Sequence, residues 1–252
     1  RLRAHSEPFH SLSEVQHAIR LEGLESCELI FAIDFTKSNT WTGVNSFGGK
    51  CLHDTTSGRD NPYQRAMRVV ARTLEAFDDD HMIPAFGFGD IMTKGQRCFP
   101  FYPDRSCLGF DDVLSRYNDI APSIEMSGPT NFAPVIRKAM EVVRDTKSFH
   151  VLVIIADGQV SSERETIDAI VDASEYPLAI VCIGVGDGPW ELMQQFDDRV
   201  PRRRFDNFQF VNFHAIEKEC ARQGEALDPQ FALAALMELP AQYKYVRDNN
   251  ML

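Results

Sequence analysis

Residues 29–38, LIFAIDFTKS, limit the fold more than any other stretch of this chain. Five apolar residues run without a break into Asp34, and hydroxyls follow at Thr36 and Ser38. A short, non-alternating apolar run of this kind reads as a strand buried on both faces. Residues 151–156 repeat the pattern and end in Asp157-Gly158. Two such strands in one parallel sheet bring their carboxyl ends, and both carboxylates, to a single crevice. An oxygen-only set such as Asp34, Thr36 and Ser38 suits a hard divalent cation, Mg²⁺ above all.

Helix-period segments separate the apolar runs. Ser11 or Ser13 caps a short helix with Val15, Ala18 and Ile19 on one face. After the strand at 27–34 comes a polar stretch, 39–60, about as long as loops become without a role of their own. Asn61-Pro62 opens a helix that buries Ala66, Val69, Val70 and Leu74, proline suiting its first turn. Further strands are expected at 83–88, 149–156, 178–184 and 208–213, with a sheet edge at 97–101 between prolines. Helices are expected at 110–117, 133–144, 163–174, 190–196 and 228–238. Strands alternating with helices predict an α/β fold: a mostly parallel central sheet flanked by helices on both faces.

The 252 residues suffice for one substantial domain. A formal charge of −11 argues against nucleic acid, whose phosphates need a basic face. The longest apolar runs have about eight residues, against the roughly 20 of a membrane-spanning helix. The opening RLRAHSEPFH is polar, unlike a signal peptide, and a start without Met is expected of a fragment. Six scattered cysteines with no C-x-x-C pair exclude a zinc ribbon or RING module within these residues. They read as reduced thiols of a cytoplasmic protein, with Cys98–Cys107 the one conceivable disulfide.

Asp-x-Thr after a strand is also ordinary turn chemistry, the side chains bonding local backbone. Two features point beyond it. Thr130 stands in a Gly-Pro-Thr-Asn loop before a helix, as a ligand or as an N-cap. Asp157 ends a wholly apolar strand, where an uncompensated carboxylate is costly and calls for a cation, hydrogen bonds or water. Two carboxylates and three hydroxyls leave one octahedral position open to a partner's carboxylate. Asp90, near the same edge, either supports the metal's ligands or, the favoured reading, caps a turn, and Trp41 is an interaction anchor or a packed loop residue. Arg202, Arg203 and Arg204 read as a solvated face, with binding of an acidic partner the alternative.

Three other motifs fail on chemistry. Gly49-Lys50-Cys51 resembles the end of a phosphate-binding loop, but Val44 replaces its first glycine and Cys51 lacks the hydroxyl. Gly184, Gly186 and Gly188 run into Pro189, where a dinucleotide fingerprint needs glycine. An aspartate-nucleophile phosphatase needs a second acid where Thr36 stands. No catalytic residues are assigned, and a metal-dependent phosphohydrolase remains only as an alternative.

DFTKS with the later GPTNF and IIADGQV resembles the metal-ion-dependent adhesion site (MIDAS) of a von Willebrand factor A domain. NPYQ, IPAFGFGD, GPTNFAPVI and YPLAIVCIGVGDGPW resemble the copine-type branch. WTG, KCLH, FDNFQFVNF and ALAALMELP are closer still to the A domain of plant RING-type ubiquitin ligases. The resemblance spans residues 11–245 and implies a Rossmann-like A domain with Mg²⁺ at the sheet's upper edge, Mn²⁺ or Ca²⁺ being alternatives. It assigns Asp34, Thr36 and Ser38 to the first metal loop, Thr130 to the second and Asp157 to the third. Thr36 departs from the serine of the commoner D-x-S-x-S form but keeps the hydroxyl.

The expected organisation is an N-terminal helical segment, 1–25, an A domain, 26–215, and a C-terminal helical extension, 216–252. The implied function is Mg²⁺-dependent binding of a protein that presents an acidic side chain, within a RING-type E3 ubiquitin ligase. A copine-like calcium-dependent phospholipid-binding protein is the alternative. The expected location is cytoplasmic, with membrane-associated or nuclear sites as variants.

Overall fold

In the computed structural model, which describes residues 11–158 and 160–252, the apolar runs form the middle of one sheet. The chain runs α1 (Leu12–Leu21), β1 (Glu28–Asp34), α2 (Pro62–Leu74), β2 (Met82–Ile83), β3 (Ala85–Phe88), β4 (Cys98–Pro100), β5 (Cys107–Leu108) and α3 (Gly109–Ile120). It continues through α4 (Ala133–Thr146), β6 (His150–Ala156), α5 (Glu163–Ala173), β7 (Leu178–Gly184) and α6 (Glu191–Asp198). The last elements are β8 (Phe208–Asn212), α7 (Phe213–Gln223), α8 (Leu227–Leu236) and α9 (Leu239–Asp248). The sheet order is β4-β3-β1-β6-β7-β8, parallel throughout except for the antiparallel edge β4.

Because side chains alternate along a strand, each central strand feeds two cores. Phe31, Ile33, Val153, Ile155, Val181 and Ile183 face α1, α2, α3 and the C-terminal helices. Ile30, Ala32, Leu152, Ile154, Ile180 and Cys182 face α4, α5 and α6. Each fully buried aliphatic side chain contributes on the order of 1.5–3 kcal/mol, so the sheet's ends are held by a stiff frame. Asn61 and Gln64 form a reciprocal capping box at the start of α2, with Pro62 in its first turn. Ser11 caps α1, accepting from the Glu14 backbone N–H.

The structure adds elements the sequence pattern does not announce. β2 and β5 form a two-stranded antiparallel ribbon, and α7 begins at Phe213, the residue expected to end the last strand. Asn212 turns the chain there, its side chain accepting from Ala215 N–H. Residues 1–10 of the expected N-terminal segment lie outside the described residues. All six cysteines are free, so Cys98 and Cys107 are not bridged. Among the described residues no helix is long and apolar enough to cross a membrane.

Candidate metal centre

β1 and β6 are parallel neighbours, Ile33 lying opposite Ile155, so Asp34 and Asp157 leave the sheet at the same edge. Both are fully buried. Asp34 Oδ1 accepts from Thr36 N–H at 2.8 Å, while its Oδ2 accepts no hydrogen bond. The hydroxyls of Thr36 and Ser38 stand 3.1 Å apart, carried by the 3-10 turn that follows. Burial, and then the charge of Asp157, push the Asp34 carboxyl well above the usual carboxylate range, with Thr36 pulling the other way.

The turn is fixed from behind. Asn39 donates to the carbonyls of Thr36 (2.9 Å) and Asp34 (3.3 Å) and accepts from Tyr63 OH of α2 at 2.7 Å. His53 is stacked 4.0 Å from the Tyr63 ring, and burial drives its pKa down to about 3. The neutral ring has one proton, and the Asp34 carbonyl, 2.7 Å from Nε2, can only accept. Nδ1 is therefore the acceptor for Tyr117 OH, 2.8 Å away. Gly89 allows the next strand's end to approach: a Cβ there would meet Thr36 Cγ2 at 2.2 Å, and its φ is +83°.

The second loop docks on the first. Lys37 N–H donates to Ser127 O, and Ser127 N–H to Gly89 O at 3.0 Å. Thr130 is buried, and its carbonyl accepts from Ser161 N–H at 2.9 Å, which ties it to the loop after β6. The first N–H of α4, that of Ala133, donates to Asn131 Oδ1 at 3.0 Å. Thr130 is thus relieved of the capping role the sequence leaves open. Asp157 Oδ2 accepts from the Thr42 hydroxyl at 3.1 Å.

The structure thus gathers Asp34, Thr36 and Ser38 on one turn, Asp157 on the neighbouring strand end, and Thr130 on a loop tied to both. Two buried carboxylates meet at this edge, and Asp34 Oδ2 accepts no hydrogen bond; together with the hydroxyls they form a donor set that a hard cation fits. Such an ion would be held by Asp34, Asp157 and the three hydroxyls, and would supply a Lewis-acidic position for an incoming oxygen ligand.

Sequence reasoning misses Thr42, Asn39 and His53, because no local pattern links them to the strand ends. Asp90 proves to be turn chemistry, accepting from Met92 N–H (3.3 Å), Thr93 N–H (3.1 Å) and the Thr93 hydroxyl. Trp41 is exposed, as are Val44 and Met92. The arginine cluster is not simply solvated: the Arg203 side chain is 9% exposed, pairs with Asp206 and donates to the Asp197 carbonyl.

The sequence pattern of the copine family matches residues 51–252. Arabidopsis thaliana E3 ubiquitin-protein ligase RGLG1 is 51% identical over 98% of this chain and 53% of its own length. The chain therefore spans about half of that relative. Copine family protein 2 of Caenorhabditis elegans is 45% identical over 97% of this chain and 3% of its own length. Manganese-loaded TRAP protein of Plasmodium vivax shares the fold at TM-score 0.50 and 11% identity, covering 78% of this chain and 72% of that one. Together with the parallel sheet and its loop-built edge, these matches place the chain in the copine family.

Proposed function

We propose that this chain is a Mg²⁺-dependent protein-recognition domain, its metal held by Asp34, Thr36, Ser38, Thr130 and Asp157. The observation that carries the reading is the orphaned, fully buried Asp34 Oδ2 beside the charge of Asp157. A cation bound there neutralises both carboxylates and, with five protein oxygens, keeps one octahedral position for a carboxylate from a partner. Exposed Trp41, Val44 and Met92 on loops leaving the same sheet edge offer apolar contacts around that position. The identity of 51% to RGLG1 across nearly the whole chain supports a place within a RING-type ubiquitin ligase, where this domain selects substrates. Mn²⁺ or Ca²⁺ would fit the same donors. We further propose a cytoplasmic location.

Calorimetric titration of Mg²⁺ into metal-stripped wild type and Asp157→Ala tests the site. The expected result is one ion per chain for wild type and none for the variant. Heat that persists unchanged in a folded Asp157→Ala would reject the ligand set. A second reading, a copine-like phospholipid-binding protein, is favoured by the 45% identity to Copine family protein 2. It predicts Ca²⁺-dependent sedimentation of this chain with phosphatidylserine vesicles, which the protein-recognition reading does not.

A further inference from the structure

A second group of acids lies at the opposite edge of the sheet. Glu28 begins β1, the strand that Asp34 ends, so the two positions stand about 20 Å apart at ~3.3 Å per residue. Cys27 and Asp78 form a parallel bridge that brings the segment after α2 against the start of β1. One carboxylate oxygen each from Glu28, Asp78 and Asp80 lie within 4.8 Å of one another. Acidic residues cluster on many surfaces, but Asp78 sets this group apart. Its side chain is 0% exposed, and neither carboxylate oxygen has a hydrogen bond.

Among the described residues, no lysine or arginine is ion-paired with any of the three. The guanidinium of Arg20 is committed to the Ala76 carbonyl and the Phe77 ring, and that of Arg72 is paired with Asp228. Two histidines are the basic neighbours: exposed His81 has Nδ1 3.5 Å from Asp78 Oδ2, and His150, opposite Glu28 in the β1–β6 register, feels the charge of Asp80. Asp80 Oδ1 accepts from Met82 N–H at 2.8 Å, which orients the carboxylate. Burial, and then a shared hydrogen bond with Asp80, raise the Glu28 carboxyl above its usual range. Burial, with Asp80 next, raises Asp78 to about 6. Left alone, the three acids repel one another.

We propose that Glu28, Asp78 and Asp80 form a second cation site that takes Ca²⁺. The irregular carboxylate set and its access to water favour Ca²⁺. Ca²⁺ accepts irregular sets of six to eight oxygens. Asp80 is exposed and Glu28 partly so, which gives water access to the remaining positions. The site is independent of the metal centre at Asp34 and Asp157 and survives its loss.

The test is Ca²⁺ titration of the full chain carrying Asp157→Ala, followed by calorimetry and thermal denaturation. Wild type saturated with Mg²⁺ replaces that background should the variant not fold. One Ca²⁺ per chain and a rise in Tm are expected, with affinity at least tenfold weaker in Asp80→Asn and in Glu28→Gln, both changes of groups that reach solvent. Asp78→Asn should raise the Tm of the calcium-free protein and abolish its response to Ca²⁺. Absence of binding in the folded background, or binding untouched by Asp80→Asn and Glu28→Gln, overturns the proposal. Failure of Mg²⁺ binding at the first centre, with Ca²⁺ still taken here, would reject only the reading of that centre.

Discussion

Thr42 has one hydroxyl proton, and two acceptors compete for it: the Ser38 carbonyl and Asp157 Oδ2, each at 3.1 Å. It thereby couples the first metal loop to the third. Groups that orient a metal's ligands are worth ten- to a hundredfold in affinity. Thr42→Val keeps the shape and removes the proton, so Mg²⁺ binding should weaken about tenfold with little change in fold. Calorimetry beside circular dichroism measures both, and an unchanged affinity would mean that Asp157 is oriented by other contacts. The same residue marks how far the sequence is legible. Asp34, Thr36 and Ser38 announce themselves because an apolar strand ends in closely spaced oxygens. Thr42 lies in a polar loop 115 residues from its carboxylate, and His53 is a lone histidine with no paired spacing. Their roles come from the packing of α2 and α3 behind the turn, which no local pattern encodes.

At the scale of elements, strongly periodic segments are readable and short ones are not. The helix expected at 133–144 and the strands at 149–156 and 178–184 match α4, β6 and β7 to within two residues. β2 and β5 have two residues each, too few to show a period. α7 hides because its first residue, Phe213, continues the apolar alternation of β8. The short helix α6 depends on a tertiary contact, Asp197 Oδ2 accepting from Phe210 N–H of β8 at 3.0 Å. Burial, then Asp206 and Asp198, raise Asp197 to about 6. A folded-state pKa above the unfolded value adds stability in acid and loses it as pH rises through the folded pKa. Asp197→Asn imitates the protonated acid. Its Tm should match wild type below about pH 4, exceed it by a margin that grows from there to about pH 6, and keep that margin above. Thermal scans across that range, in which a constant gap would refute the assignment, are the check.

At the scale of the whole molecule, the C-terminal helices continue the core. From Phe231 to its end α8 is wholly apolar, as befits a helix enclosed by neighbours. Phe231 is fully buried, in edge-to-face contact with Phe213, and lies in the core that contains β1 and β6. We therefore propose that the segment 216–252 is part of one folding unit with the A domain. Phe231→Ala should cost about 3–5 kcal/mol, as large-to-small changes in cores do. Chemical denaturation should still show one transition; two transitions would make the extension a separate unit.

The pairing of β1 with β6 has a consequence during synthesis. At roughly 5–20 residues per second, the 115 residues between Thr42 and Asp157 take about 6–23 s to emerge from the ribosome. For that interval β1, apolar on both faces, has no neighbour on its β6 side, which makes the nascent chain a natural client for chaperones.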